Sequence, residues 1–138
     1  MYVVHEPATA VHEPTDGKEA SLNGSEVSVE EERVLATTVE TADSILAQTR
    51  GLMFRRSLPH DYALAFRFSR AKTRDVHSLF VFVPIDVVWV ADGVVTRVER
   101  LRPWRGYARA EADLIVEFPA GGADGVSEGD RLGLVDDE

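Results

Sequence analysis

Two acidic residues in apolar surroundings are the first candidates for chemistry in this sequence. Asp86 lies between Ile85 and Val87, so its carboxylate is close to apolar neighbours whichever face of a strand it occupies. Glu117 lies between Val116 and Phe118 near the end of a predicted strand, just before Gly121, a residue type that permits close backbone approach. If the two carboxylates faced each other, they could form an acid/base pair of the kind used in glycoside hydrolysis. The alternative is that Asp86 stabilises the turn that follows Pro84.

A buried carboxylate needs a partner, which is either an arginine or a set of backbone N–H donors. The sequence offers Arg55 as the partner that we name for Asp86. We therefore expect a candidate ligand-binding site at Arg55, Asp86, Glu117 and Gly121.

The arginines of the middle segment form a second candidate, for contact with an anion or a partner. Aromatic residues are interleaved with them, and we select Arg102, Trp104 and Arg105. Such mixing is typical of binders of single-stranded nucleic acid, but the net charge of −9 disfavours a nucleic-acid partner. The favoured alternative is pairing of these arginines with acidic segments of the same chain.

Other chemistries have no support in the sequence. The chain has no cysteine, so thiolate catalysis, cysteine metal sites and disulfides are excluded. The four histidines lack the close spacing of zinc ligands, and the acidic residues near the C-terminus lack the register of a calcium loop. There is no nucleophile elbow and no phosphate-binding glycine loop. We predict no metal and no cofactor.

The charge pattern is uneven along the chain. Residues 1–49 carry ten acids and two bases, residues 50–110 five and twelve, and residues 111–138 nine and one. Lys18 and Lys72 are the only lysines. An acidic surface with few lysines is typical of proteins that work in concentrated salt, where repulsion is screened, so we infer a halophilic source. The alternative is an ordinary acidic protein with a preference for arginine.

The elements that must position these residues are mainly strands. A chain of 138 residues fits one domain, which we assign to residues 33–138 after a partly flexible arm, residues 1–32, that has room for one strand. A helix is predicted over Ala42–Arg50. Alternating and β-branched runs predict the strands, and Asp92-Gly93 and Gly129-Asp130 predict turns. The expected fold is mainly β, a compact antiparallel β-sandwich or small barrel with one short helix. The predicted strands are Arg33–Thr38, Tyr62–Ser69, Val76–Val83, Ile85–Val90, Val94–Leu101, Leu114–Phe118 and Arg131–Val135.

No apolar run approaches the ~20 residues that a membrane-spanning helix needs, and the first residues do not resemble a secretory signal. We therefore expect a soluble cytoplasmic protein without membrane contact.

Four segments in order resemble the domain of unknown function 192 (DUF192) family. They are Gly51–Arg55, Tyr62–Phe66, Phe82–Val88 and Glu117–Gly121, the last followed by Gly129-Asp130. The resemblance runs from about Val34 to Val135 and implies a compact β-rich domain without an established activity. The chain departs from the family at Val76–Phe80, where members often have a polar Trp-Met-Lys-Asn stretch.

Three functional hypotheses follow. The leading one is a small-molecule-binding β domain with no assigned reaction, and the second is an enzyme that uses Asp86 and Glu117. The third is a module that binds a partner or nucleic acid through the arginines around Trp104.

Overall fold

In a computed structural model of the chain, residues 1–8, 32–42 and 58–136 are described. They form eight strands in chain order: β1 (Tyr2–Glu6), β2 (Arg33–Ala36), β3 (Thr38–Ala42), β4 (Tyr62–His77), β5 (Ile85–Ala91), β6 (Val94–Leu101), β7 (Tyr107–Pro119) and β8 (Arg131–Val135). The mainly-β prediction is confirmed. Arg55 and the predicted helix, except its first residue Ala42, lie outside the described residues, as does most of the predicted arm; Ala42 ends strand β3 instead of beginning a helix.

All eight strands belong to one sheet, in the order β2-β1-β8-β6-β5-β7-β4-β3. Neighbouring strands are antiparallel except for β3 and β4, which are parallel. The sheet is therefore mixed: it is mainly antiparallel, as expected, with one parallel pair. Within the described residues, no ladder joins the edge strands β2 and β3 to close a barrel.

The sheet is nevertheless strongly curled, because the chain passes directly from one edge to the other. Ala36 ends β2 and Thr38 begins β3, so the two edges meet at Thr37. The backbone N–H groups of Thr37 and Thr38 both donate to the Asp61 carbonyl, at 3.1 Å each. This corner is fixed beside the start of β4.

Side chains alternate between two apolar clusters, one on each face of the curled sheet. The inner face carries Val88, Val90, Val116 and Phe118, and Val3 of the distant strand β1 packs into the same cluster. The outer face carries its own buried set: Tyr62, Leu64, Phe66, Val87, Trp89 and Ile115. Because both faces are buried, the central strand β5 is apolar throughout except for Asp86.

Several strands differ from the expected boundaries: β4 continues to His77, and β7 already begins at Tyr107. The predicted strand Val76–Val83 is wrong, since only Val76 and His77 are extended, as the end of the 16-residue strand β4, and residues 78–84 form turns and a loop. The β5–β6 hairpin turns at Asp92 and Gly93 as expected, with φ of 55° and 81°. Among the described residues, no helix is long and apolar enough to cross a membrane.

Candidate functional site

The Asp86 carboxylate lies at one end of the inner face and its hydrogen-bonding capacity is used within the protein. Its Oδ1 accepts from Arg100 Nε at 2.7 Å, and its Oδ2 accepts from Arg100 Nη2 at 3.3 Å. The backbone N–H groups of Gly121 and Ala123 also donate to Oδ2, at 3.0 and 3.2 Å. Arg100 Nη2 reaches Asp124 as well, at 3.3 Å. We call this group the Asp86 clamp.

The clamp holds the loop after β7 against the start of β5. Asp86 is 4% exposed, and the half-exposed Arg100 covers it. The Asp86 carboxylate raises the pKa of the Arg100 guanidinium through their hydrogen bonds and their charge attraction. Gly121 has a φ of +96°, which a side chain would strain, and this turn aims its N–H at Asp86. Asp86 therefore serves the fold by linking a strand to a loop.

The register places Glu117 on the opposite face of the sheet from Asp86. Asp86 is directly opposite Phe118 on β7, and Glu117 is opposite Val87, one residue away. Directly paired residues share a face and successive residues alternate, so Asp86 faces inward and Glu117 faces outward. The two carboxylates cannot face each other across one substrate, and the acid/base interpretation is wrong. Glu117 is buried at 3% exposure beside Leu64.

Of the predicted ligand site, the structure brings together Asp86 and Gly121. Glu117 lies on the other face, and Arg55 is outside the described residues. The arginine that pairs with Asp86 here is Arg100, directly across the hairpin from it. The predicted hairpin could have identified Arg100 from the sequence, because pairing β5 with β6 from the turn places Arg100 opposite Asp86 when one bulge residue in β6 is included.

A third buried carboxylate, Asp130, was not selected from the sequence. Its Oδ2 lies 2.8 Å from His5 Nε2, and its two oxygens accept from the N–H groups of Ala8 and Ser127 at 2.9 and 2.8 Å. Arg33 Nε donates to His5 Nδ1 at 3.2 Å, and in this arrangement His5 Nε2 donates to the Asp130 carboxylate. Burial acts to raise the pKa of Asp130, but these hydrogen bonds together hold it below its ordinary value. The group joins β1 to the loop before β8.

The loops around Ser78 and Trp104 form the most distinctive exposed feature. Ser78 is fully buried, and its hydroxyl donates to the Arg102 carbonyl at 2.5 Å and accepts from the Gly106 N–H at 2.8 Å. The Ser78 carbonyl in turn accepts from the Trp104 N–H at 3.1 Å. One serine thus fixes the 102–106 loop against the loop that follows β4.

Two bulky residues of these loops have left-handed backbone conformations, Phe80 with a φ of 65° and Trp104 with a φ of 66°. The Trp104 ring packs edge-on against Phe80 and Phe82, with ring centroids 5.0 and 5.4 Å apart. Trp104 is nevertheless 41% exposed, and Leu79, which precedes Phe80, and Tyr107, which follows the Trp104 loop, also have exposed side chains. We call these five residues the Trp104 surface.

Arg102 and Arg105 flank the Trp104 surface, and both side chains are exposed. Within the described part of the chain, neither guanidinium makes a hydrogen bond or an ion pair, in contrast to Arg100. The three residues that the sequence selected for anion or partner contact therefore lie together in one loop. The structure does not pair Arg102 or Arg105 with the acidic segments that it describes.

The fold and these surfaces define a small curled-sheet domain in which the buried carboxylates of Asp86 and Asp130 join strands to loops. The chain belongs to the DUF192 family, described as "Uncharacterized ACR, COG1430", whose model matches residues 26–134. The resemblance noted in the sequence is therefore confirmed.

Two archaeal relatives carry the family description "UPF0127 protein". The one from Thermococcus gammatolerans is 31% identical over 92 residues, which cover 64% of this chain and 60% of the relative. The one from Thermococcus kodakarensis is 28% identical over 85 residues, which cover 60% of this chain and 54% of the relative. The match thus spans less than two thirds of either relative's length.

The fold is also that of a solved structure from Sinorhizobium meliloti, a protein described as a candidate transcription regulator. The two structures superpose with a TM-score of 0.68 and 22% sequence identity, over 96% of this chain and 92% of the other. Identity at this level shows a shared fold, and the regulatory description belongs to that protein.

Proposed function

We propose that this domain is a protein-binding module whose docking surface is the Trp104 surface, and that its partner is an acidic polypeptide segment with apolar side chains. The observation that carries the proposal is the half-exposed Trp104 side chain on a left-handed backbone beside Phe80 in the same conformation. Such conformations cost a bulky residue about 1–3 kcal/mol and cluster at functional sites.

The composition of the surface supports a protein partner. Trp, Tyr, Phe and Arg are the residue types enriched where proteins bind each other, and Trp, Tyr and Arg carry much of the binding energy. Leu79, at 46% exposure, adds an aliphatic side chain that fits an apolar side chain of a partner. It adds nothing to base stacking, which uses aromatic faces.

Charge supports an acidic partner. Arg102 and Arg105 flank the aromatic rings, and their donors have no partner within the described residues. The whole chain has a net charge of −9, which opposes long-range attraction of a nucleic acid. A short acidic segment needs only the local field of the two arginines, since charges beyond about 10 Å are screened at moderate salt. Since the same screening applies to a short oligonucleotide, the exposed aliphatic side chain of Leu79 decides between the two partners and favours an acidic polypeptide.

The geometry of the Asp86 clamp argues against the first candidate site of the small-molecule and enzyme hypotheses. The acceptors of Asp86 are occupied by Arg100 and the loop backbone, and Glu117 faces away from it.

The test is a titration of the full chain with a synthetic peptide of alternating Glu and Leu. The chain has two tryptophans, and Trp89 is fully buried, so a change in emission on binding reports on Trp104. We expect saturable binding that shifts the emission and protects it from acrylamide quenching. Trp104→Gly removes the indole and suits the left-handed backbone, and Leu79→Ser removes an exposed anchor. Each should weaken binding about tenfold or more, measured by anisotropy of the labelled peptide.

The matched control is Val135→Ser, which removes a side chain of similar exposure (43%) from the last strand. It should leave the affinity unchanged. A peptide of alternating Lys and Leu tests the sign of the charge, and single-stranded oligothymidylate tests the other class of polymer. Absence of saturable Glu-Leu binding, or equal weakening by Val135→Ser, would refute the proposal. Tighter binding of oligothymidylate through the same residues would replace the polypeptide partner with a nucleic acid.

A further inference from the structure

A surface pocket opens at the end of the inner face opposite to the Asp86 clamp. Its volume is about 320 Å³, at the small end of the range for ligand pockets. None of its lining residues belongs to the Trp104 surface. The side chains and backbone that line it come from β4, from the β5–β6 hairpin, from β7 and from β8: Arg67, Phe68, Val90, Gly93, Asp113, Leu114, Leu132, Gly133 and Leu134.

Arg67 is an inward-facing cation at the mouth of this pocket. It lies directly opposite Leu114 on β7, two residues beyond the pair Ala65 and Val116, whose side chains belong to the inner cluster. Directly paired residues share a face, so Arg67 continues the inner face where the apolar cluster ends. Its exposed guanidinium makes no hydrogen bond or ion pair with any described residue.

The ladder breaks immediately after Arg67. The register between β4 and β7 shifts between Arg67 and Lys72, so that residues 68–71 of β4 stand opposite the single residue Asp113. Such bulges bend a strand and re-aim side chains at the rims of curled sheets. Arg67 and Phe68 both border this opening, although the Phe68 ring packs against the outer cluster beneath the Arg74 guanidinium.

The remaining lining is apolar except for one acid. Leu114 and Leu132 belong to the inner cluster, and Leu134 packs against it. The acid, Asp113, already accepts from the Asp92 N–H at 3.3 Å. The donors that this lining offers to an anion are the guanidinium N–H groups of Arg67, which lie beside three leucines, and the Asp113 carboxylate belongs to the same lining.

We propose that this pocket binds a small carboxylate that carries an apolar chain, with its carboxylate on Arg67 and its chain against Leu114, Leu132 and Leu134. A guanidinium matches a carboxylate in bidentate geometry, and burial of the chain against the leucines supplies affinity. This site is independent of the Trp104 surface. It gives the small-molecule hypothesis a new candidate site, at the end of the inner face opposite to the Asp86 clamp.

The experiment uses octanoate and follows amide NMR spectra of the full chain. Gly93 and Gly133 line the pocket, and we expect their amide signals to shift saturably with octanoate concentration. Arg67→Gln should weaken the fitted affinity about tenfold, because a bidentate charged contact is replaced by a neutral one. Octylamine, which has the same chain and the opposite charge, should produce no saturable shift.

The matched control is Arg70→Gln, which removes an exposed arginine of the same strand that does not line the pocket. It should leave octanoate binding unchanged. If octanoate shifts neither glycine signal saturably, if octylamine binds as well, or if Arg70→Gln weakens binding as much as Arg67→Gln, the proposal is overturned. These outcomes are independent of peptide binding at Trp104.

Discussion

The two ends of the inner face contain oppositely charged groups that differ in how far the protein satisfies their hydrogen bonds. At the clamped end, the Asp86 carboxylate accepts four hydrogen bonds and is 4% exposed. At the open end, the Arg67 guanidinium makes no hydrogen bond or ion pair within the described residues, and it lines a pocket. The hydrogen-bonding capacity of the Asp86 carboxylate is used within the fold, whereas the donors of the Arg67 guanidinium remain available to solvent or a ligand.

The difference shows that a charged residue among apolar neighbours does not by itself indicate a functional site. Asp86 has the more suggestive sequence context, an acid inside an apolar strand, yet it fixes a loop. Arg67 follows an equally apolar run and ends it at an opening. The distinguishing property is whether the donors and acceptors are satisfied internally, since a buried unsatisfied group is costly and an exposed one is not.

The largest expected effect is that of Asp86→Ala on stability. Removal of the carboxylate leaves the Gly121 and buried Ala123 N–H groups without an acceptor and releases Arg100. We expect a loss of about 3 kcal/mol in the free energy of unfolding, since each of these bonds involves a charged acceptor. Urea denaturation measures it.

The open end supplies the contrast to this variant. Arg67→Ala removes a charge with no partner in the described residues, so stability should change by less than about 0.5 kcal/mol. Arg100→Ala should cost less than Asp86→Ala because Arg100 is half exposed, and a double-mutant cycle should show coupling between the two positions. Equal effects of Asp86→Ala and Arg67→Ala would contradict the distinction between the two ends.

A smaller loss is expected from Gly121→Ala, also at the clamped end. Gly121 has a φ of +96°, so a side chain there is strained even though the nearest atom, Asp124 Oδ2, is 3.8 Å from a Cβ at this position. We expect a cost of about 1–2 kcal/mol. Thermal or urea denaturation measures it, and an unchanged midpoint would show that the loop adapts without the glycine.

A further prediction concerns the dependence of stability on low pH through the Asp130 carboxylate. The pKa of Asp130 is held below its ordinary value of 3.8, so the carboxylate contributes stability that is present above this pH. That contribution is lost as the pH falls through the lowered pKa of the folded state. Unfolding free energies measured from pH 5 downward should therefore fall more steeply for the natural chain than for Asp130→Asn. Parallel curves would show that the His5 interaction does not favour the ionised form.

The hairpin that carries the clamp was predicted from Asp92-Gly93, but the partner of Asp86 was not. Counting back from this turn places Glu99 opposite Asp86, which would bring two acids together. A bulge at Thr96 shifts the register by one residue, so that Arg100 takes this position and Glu99 lies opposite Val87. The Thr96 hydroxyl lies 3.2 Å from the Trp89 carbonyl at the bulge. The hydrophobic pattern alone does not encode this shift.

The segment after β4 was predicted as a strand because its valines and phenylalanines have high strand propensity. Ser78 prevents this, since its hydroxyl and backbone bind the Arg102–Gly106 loop in place of a ladder partner. Alternation likewise could not separate Asp86 from Glu117, because both faces of β5 are buried and the register is set by distant pairing. The inferred adaptation to salt and the cytoplasmic location remain predictions.

The smallest expected effect tests the open end itself, through Gly133→Ala on β8. Gly133 differs from Gly121 in backbone conformation, since its φ is not in the left-handed region. A Cβ at Gly133 would meet no atom within 4 Å. Alanine should therefore fit without strain and reduce the conformational freedom of the unfolded chain, which stabilises by about 0.5 kcal/mol. Urea denaturation of Gly133→Ala and Gly121→Ala side by side should give shifts of opposite sign. A destabilised Gly133→Ala would mean that β8 packs more closely than the open end requires, and that the free space beside Gly133 is filled in solution.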